Sequence, residues 1–357
     1  MTNQTKLAEY NMENELYDLR SIFELMVKGG LDKQTRDKIG IFLANYMQKK
    51  IQSRHQFFEH QGFGPAYTQD HLNLLNKIGF VHLDPVFTNS EIDRIKAYLS
   101  DFPVDCSDNS NYGKSPSHYG RSPSPGEKLD TRYLDNIPVG VNLGHYHQEI
   151  VSRCPWFYKI AHNENLIRLV EAYLGTLPTL SSITAWWSFS TGVEPVGSQL
   201  YHHDRADFRS VNLFVYLTNV GSNNGPHVYV KHTHEFSVLN KIMEQRLGGN
   251  SQNFQKFWRW MEVHRKADKD VETIFTEAEI KRHIGAKGTS FLEDTRGLHK
   301  AQLPTEGRRL MFELGYGLLP KYNTIFHPIR RDSINNIEEY QLPKNSRAYY
   351  TNRLFYH

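Results

Sequence analysis

The sequence is poor in cysteine and lacks long apolar runs, and both shortages exclude classes of protein. Among its 357 residues are only two cysteines, Cys106 and Cys154, which cannot build the disulfide framework of a small secreted protein. No apolar stretch is long enough to predict a signal peptide or a membrane-spanning helix. We therefore expect a reducing, cytoplasmic environment and no membrane as a partner.

An excess of charge of one sign is also missing. The 42 Lys and Arg residues against 39 Asp and Glu residues give a net charge of +3, which is too small to favour nucleic acid as a partner. Hydrophobic residues make up 39% of the chain and aromatic residues 13%, a composition typical of a globular protein with a large core. A chain of this length fits one decorated domain as well as two domains, and we favour one.

Periodic patterns divide the chain into three parts. Residues 1–70 are expected to form a helical extension packed on the core, because apolar residues recur at helical spacing in two segments between residues 6 and 53. Residues 71–320 are expected to form the main domain, which combines strands with some helices and is interrupted by a helical insertion at residues 235–285. Residues 321–357 form a C-terminal extension.

Two segments that interrupt the core have compositions of their own. The insertion carries an aromatic face and is predicted to be wholly helical to residue 283, as a cap over the mouth of a barrel. Residues 105–130 are rich in Ser, Pro, Gly and Asn, so they predict a long loop that is either a substrate lid or disordered.

Local signals mark where several elements begin and end. Gly79 separates a helix from the alternating strand that starts at Phe80, and Thr88 with Glu91 forms the sequence of a capping box. Residues 156–174 are predicted to form one helix that ends at Gly175.

His202 and Asp204 are the strongest candidates for metal ligands. On a strand, residues i and i+2 point to the same face, so this imidazole and this carboxylate can reach one ion. A distant histidine, for which we propose His299, would complete the 2-His-1-carboxylate set that holds Fe(II) on one side and leaves the other positions open. The alternative for a single His-x-Asp pair is a polar turn with a solvated Asp.

Residues 308–314 alternate between two faces. Leu310, Phe312 and Leu314 share one face with Arg308, and we predict that this apolar face is the barrel interior. Arg308 would then point inward, where a buried cation needs an anion, and Arg309 would lie nearer solvent.

Together these motifs resemble the phytanoyl-CoA dioxygenase-like family of Fe(II)/2-oxoglutarate-dependent oxygenases. The resemblance runs from the Gly79-Phe80-Val81 strand through His202-x-Asp204 and Asn224-Gly225-Pro226 to His299 and an arginine nine residues later. It implies a mainly β fold with flanking helices, built on the double-stranded β-helix or cupin-like jelly roll. Iron would bind to His202, Asp204 and His299.

The resemblance also implies how the cosubstrate is held. 2-Oxoglutarate would chelate the iron and pair its far carboxylate with Arg308, because a guanidinium matches a carboxylate bidentately; Arg309 is the reserve candidate. Gln199 and Trp187 are further expected contacts of the cosubstrate. Trp186 or Trp187, together with Tyr201, is expected to exclude water from the oxidant.

The reaction implied by the resemblance is hydroxylation of an unactivated C–H bond of a small molecule by dioxygen, with release of succinate and CO2. Asp204 argues against halogenation, because related halogenases lack the carboxylate ligand. Other classes stay open: a zinc or manganese hydrolase or isomerase with a cupin-like fold, a protein-directed hydroxylase, and a non-catalytic ligand-binding barrel. The substrate and the oligomeric state, monomer or homodimer, also stay open.

Overall fold

The computed structural model describes residues 30–54, 67–106, 130–192, 194–195, 197–249, 251–321, 326, 328–334 and 346–357. The first of the two predicted N-terminal helices and most of the Ser- and Pro-rich stretch lie outside these residues. None of the helices in the described ranges is long and apolar enough to cross a membrane.

Helices flank the core and fill the insertion. Their bounds are α1 Lys33–Arg54, α2 Gln69–Ile78, α3 Asn89–Ser100, α4 Gln148–Arg153, α5 Pro155–Ala161, α6 Glu164–Leu174, α7 Phe236–Leu247, α8 Gln252–Met261, α9 Asp268–Ile274 and α10 Arg347–Thr351.

The strands are short apart from β5 and β13. Their bounds are β1 Phe80–Leu83, β2 Val104–Asp105, β3 Thr131–Arg132, β4 Leu143–His145, β5 Thr179–Phe189, β6 Tyr201–His202, β7 Ser210–Tyr216, β8 His227–Val230, β9 Arg265–Lys266, β10 Ile280–His283, β11 Ser290–Glu293, β12 His299–Ala301 and β13 Arg308–Gly317.

Two antiparallel sheets form the core. The large sheet has the strand order β1-β11-β7-β13-β5-β4-β2-β3, and the small sheet has the order β10-β8-β12-β6-β9. The sheets face each other, because the Phe291 ring of the large sheet stacks on the His283 ring of the small sheet with centroids 4.1 Å apart. The structure therefore combines antiparallel sheets with flanking helices, as predicted.

The outer face of the large sheet is covered by helices. On β13, Leu310, Phe312 and Leu314 belong to the main hydrophobic core, and the Phe312 ring stacks on Phe157 of α5 at 3.8 Å. The prediction that this apolar face is the barrel interior is wrong. Burial of apolar area stabilises the fold wherever it occurs, and here the helices bury it.

The insertion covers the outer face of the small sheet and extends that sheet at both edges. Phe257 and Met261 of α8 pack with Tyr201 of β6 and with residues of β8 in a second hydrophobic cluster. Within the insertion, β9 pairs with β6 and β10 pairs with β8. The prediction of a wholly helical segment is therefore wrong at β9 and β10, and the insertion is part of the core rather than only a cap.

The predicted local signals largely hold. Gly79 ends α2 in the left-handed conformation with φ of 89°, and a Cβ there would lie 2.1 Å from the Tyr229 hydroxyl, so only glycine fits. Thr88 and Glu91 form both hydrogen bonds of the capping box. The predicted single helix at 156–174 is instead α5 and α6, because the Asn163 side chain accepts a hydrogen bond from the backbone of Leu166 and starts a new helix.

Candidate metal centre

His202, Asp204 and His299 come together between the two sheets. Each offers one ligand atom, these atoms all lie within 4.8 Å of one another, and no other such group of three occurs in the described part of the chain. The two histidines are direct partners across β6 and β12, and their ring centroids are 4.2 Å apart. His202 Nε2 lies 3.7 Å from Asp204 Oδ1.

Backbone carbonyls set the tautomer of both histidines. His202 Nδ1 lies 2.9 Å from the carbonyl oxygen of Leu200, and His299 Nδ1 lies 3.0 Å from that of Gly297. A carbonyl oxygen only accepts, so each Nδ1 carries the proton and each Nε2 keeps its lone pair for a metal. Burial, followed by the neighbouring His299, lowers the pKa of His202 well below its ordinary value, which keeps the ring in the neutral form that a ligand needs.

Asp204 is held by a loop rather than by a strand. β6 ends at His202, and the Asp204 backbone N–H donates to the carbonyl oxygen of Thr295 at 2.8 Å. Thr295 lies in the turn between β11 and β12, which also leads to His299. The hydrogen bond thus joins the two chain segments that supply the candidate ligands.

A buried ion network fixes that turn. The Arg296 guanidinium pairs with Asp294 at 2.5 Å, with Glu235 at 2.9 Å and with Asp37 of α1 at 3.3 Å. These partners come from the turn itself, from the start of the insertion and from the N-terminal helix. Because a buried charge is costly unless it is paired, the network holds all three segments around the turn that carries Thr295.

We expect this network to contribute acid-sensitive stability. Burial opposes ionisation of Asp294, but Arg296 outweighs it and lowers the pKa of Asp294 from 3.8 to about 2. A carboxyl whose pKa is lower in the folded than in the unfolded state stabilises the fold at any pH above its unfolded pKa. This contribution is lost as the pH falls through the folded pKa. The free energy of unfolding should therefore drop by about 2 kcal/mol between about pH 4 and pH 2.

Urea unfolding of the wild-type protein and Asp294→Asn across this pH range checks the expectation. The variant should be several kcal/mol less stable near neutral pH, because Arg296 loses a buried partner, and the difference between the two proteins should shrink in acid. A difference that does not change with pH would contradict the role given to Asp294.

Arg309, not Arg308, is the buried arginine of β13. Arg309 is 0% exposed and donates to the carbonyl oxygen of Gly225 and to Ser188 Oγ, the latter at 3.0 Å. Its Nε has no hydrogen-bond partner, and no carboxylate of the described residues forms an ion pair with it. Burial lowers the pKa of Arg309, as expected for a cation without a counter-charge.

The in/out prediction for β13 is reversed. Arg308 is exposed and lies over the Trp187 ring, 4.8 Å from its centroid. Arg309 shares the inner face with Met311 and Glu313, because Met311 packs with Phe214 and Trp186 between the sheets. The alternation of residues 308–314 between two faces was predicted correctly. The apolar face is the outer one, because helices cover it.

Two aromatic predictions are wrong for the same reason. Trp187 lies on the outer face of β5, where it belongs to the main core and donates to the Tyr146 hydroxyl at 3.1 Å. Tyr201 packs against the insertion. Trp186, the other tryptophan of the predicted pair, does lie on the inner face.

Gln199 is buried in the single turn Gly197–Gln199 that leads into β6. Its Oε1 accepts a hydrogen bond from Asn142 Nδ2 at 3.2 Å. A cosubstrate contact for Gln199 stays a prediction.

Three inner-face residues were not predicted from the sequence as parts of the site: His227, Glu293 and Glu313. The His227 ring stacks on His299 with centroids 5.5 Å apart, and His227 Nε2 lies 2.7 Å from Glu293 Oε1. Strand alternation offered a signal, because His227 and Tyr229 alternate with Val228 and Val230.

Comparison with known proteins gives structural likeness only. No protein-family model matches the sequence, and no curated protein matches it. Among solved structures, HygX from Streptomyces hygroscopicus with nickel and 2-oxoglutarate bound is 17% identical, covers 74% of this chain and 91% of its own, and has a TM-score of 0.42. AviO1 from Streptomyces viridochromogenes is 16% identical, with 71% and 96% covered and a TM-score of 0.39.

A third solved structure is the non-heme alpha-ketoglutarate-dependent carbocyclase SnoK from nogalamycin biosynthesis. It is 12% identical, with 72% of this chain and 87% of that chain covered and a TM-score of 0.43. Likeness at this level does not assign an activity, so the assignment must come from the side chains of this protein.

Proposed function

We propose that this protein is an Fe(II)/2-oxoglutarate-dependent dioxygenase that hydroxylates an unactivated C–H bond of a small molecule and releases succinate and CO2. The observation that carries the proposal is the convergence of His202, Asp204 and His299, with both Nε2 lone pairs available. Two imidazoles and one carboxylate on one side of an ion are the ligand set of non-haem Fe(II) oxygenases.

The strand order supports a double-stranded β-helix for the core. β11, β7, β13 and β5 are neighbours in the large sheet, and β10, β8, β12 and β6 are neighbours in the small sheet. Along the chain, these eight strands alternate between the sheets except at the step from β8 to β10, where the insertion lies. Such alternation is typical of a jelly roll, and it brings His202 of β6 beside His299 of β12.

Arg309 is the proposed anchor for the far carboxylate of 2-oxoglutarate. A fully buried guanidinium without an acidic partner favours an anionic ligand, and its Nε donor is unused. The charge of Arg309 lowers the pKa of His227 after burial and His299, and the His227 ring stacks on His299. Arg309 also donates to the carbonyl oxygen of Gly225, two residues before His227, so the anchor lies near the strand whose His227 ring stacks on a candidate metal ligand.

The residues around the candidate metal ligands have separate roles in the proposed reaction. Bound Fe(II) and 2-oxoglutarate would together activate dioxygen and oxidise the substrate while 2-oxoglutarate loses CO2. Leu200 and Gly297 orient the two histidines through their carbonyl oxygens. Trp186, Phe214 and Met311 form an apolar wall between the sheets that excludes water from the site.

The test of the proposal is a metal-dependent assay of the purified chain. With Fe(II), dioxygen and 2-oxoglutarate, we expect succinate to form even without substrate, and an added substrate to increase its rate. Zn(II) in place of iron should give no succinate. Equal or greater catalysis with Zn(II) or Mn(II) and no consumption of 2-oxoglutarate would instead support a hydrolase or isomerase.

A further inference from the structure

Glu313 stands on the inner face of β13, four residues after Arg309. It is the register partner of Phe214 on β7 and of Thr184 on β5, and Phe214 packs between the sheets. The side chain is only partly buried, although its strand lies in the middle of the large sheet. Glu313 therefore lines the space in which the candidate metal ligands converge.

The carboxylate is held in place through one of its oxygens. Glu313 Oε1 accepts hydrogen bonds from Asn212 Nδ2 at 3.0 Å and from Ser182 Oγ at 3.3 Å. Gly315 makes room for this arrangement, since a Cβ there would lie 2.2 Å from Ser182 Oγ. Any larger residue at that position would move the group that orients Glu313.

The second oxygen differs from the first in its contacts. In the ranges that the structure describes, Glu313 Oε2 makes no hydrogen bond, and no Lys or Arg forms an ion pair with the carboxylate. Desolvation by the surrounding strands raises the pKa of Glu313 to about 7 although the side chain keeps some exposure, while the charge of Lys321 lowers this pKa and that of Asp204 raises it. Arg309, four residues earlier on the same strand, instead donates to the carbonyl oxygen of Gly225.

We infer that Glu313 binds the substrate, with Oε2 accepting a hydrogen bond from an ammonium or hydroxyl group close to the metal. This inference rests on the proposed function, since it assigns a substrate contact on the strand whose Arg309 is the proposed anchor of 2-oxoglutarate. Asn212 and Ser182 fix the carboxylate through Oε1, which leaves Oε2 as the oxygen that can meet a ligand. The substrate class is therefore a molecule that presents a hydrogen-bond donor, not an anion, beside the bond that is oxidised.

The experiment uses small probes and does not need the natural substrate. Full-length protein is loaded with Co(II) and saturated with 2-oxoglutarate, and the proton relaxation of ethanolamine, ethylene glycol and glycolate is measured by NMR near neutral pH. Ethanolamine carries both an ammonium and a hydroxyl, ethylene glycol carries only hydroxyls, and glycolate carries an anion. Relaxation by the paramagnetic ion reports binding close to the metal.

We expect ethanolamine or ethylene glycol to be relaxed strongly by the wild-type protein, and glycolate not. Glu313→Gln keeps the shape but places an amide at the second oxygen, so the donor probe should bind at least about tenfold more weakly, as for other charged hydrogen bonds. Glu306→Gln, the same change at an exposed residue, should bind like wild type. If only ethanolamine is relaxed, the group that Glu313 binds is an ammonium. If ethylene glycol is relaxed as well, that group is a hydroxyl.

Three results would overturn the inference: no relaxation of either donor probe, a preference for glycolate, or equal binding by wild type and Glu313→Gln. Failure of the proposed function is seen separately in the same samples, as failure to take up Co(II) or 2-oxoglutarate. Protein that binds both but ignores the donor probes would refute only the role of Glu313.

Discussion

Replacing His202 with alanine will remove bound iron and abolish iron-dependent succinate formation while the protein stays folded. The ring is one of the three candidate ligands, and its Nε2 lone pair is kept free by the hydrogen bond to the Leu200 carbonyl. Mutating a residue that only hydrogen-bonds to a metal ligand typically lowers metal affinity or activity 10- to 100-fold. Loss of a ligand itself should therefore lower them by more than about 100-fold. Asp204→Ala should behave in the same way.

A nearby histidine provides the matched control. The His264 ring lies 6.4 Å from that of His202, but His264 is not a member of the candidate triad. We expect His264→Ala to keep the iron content of the wild-type protein, measured by elemental analysis, while circular dichroism verifies the fold of all three variants. Full iron content and activity in His202→Ala would show that the ligand assignment is wrong.

Replacing Arg309 with glutamine will raise the apparent KM for 2-oxoglutarate by about two to three orders of magnitude, the cost of a charge-assisted pair lost from a desolvated site. Arg309 is fully buried and faces the space between the sheets. Arg308→Gln should leave the KM within about threefold of wild type, because exposed charged contacts contribute little. Arg308 is exposed and stacks over Trp187.

The comparison of adjacent arginines also controls for general damage. Both variants make the same substitution on the same strand, and urea unfolding shows whether Arg309→Gln is still folded. If Arg308→Gln raised the KM more than Arg309→Gln, the arginine on the outer face would be the anchor. Equal effects would mean that neither arginine recognises the carboxylate specifically.

The sequence was informative where a short-range rule decides the structure. His202 and Asp204 are two residues apart, so they stay close even though β6 ends at His202 and the strand rule does not reach Asp204, and His299 could be added from the order of motifs. The cap at Thr88 and the turn at Gly79 likewise depend on neighbouring residues only.

It was less informative where distant segments decide which face is buried. Alternation along β13 separates Arg308 from Arg309, but period 2 cannot say which face meets helices and which meets the site. A polar inner face with Arg309 and Glu313 and an apolar outer face with Phe312 is the arrangement of a sheet that encloses a polar site. The outer helices α5 and α6 are far from β13 in the chain, so no local pattern announces them.

The sequence also did not predict polar contacts between residues that are far apart in the chain. Arg296 lies three residues before His299, yet its partners Asp37 and Glu235 come from the first described helix and from the start of the insertion. The pairing of β9 with β6 was missed because two residues carry no strand period. Both features place the insertion against the candidate metal centre.

Anaerobic titration with Fe(II) and then 2-oxoglutarate tests the central claim most directly, through the visible absorption that a 2-oxo acid gives when it chelates Fe(II). The account predicts one iron per chain and a band that saturates with 2-oxoglutarate in the wild-type protein and in Arg308→Gln. The band should require far more 2-oxoglutarate in Arg309→Gln and be absent in His202→Ala. Wild-type protein that binds no iron, or binds it without developing the band, would contradict the claim.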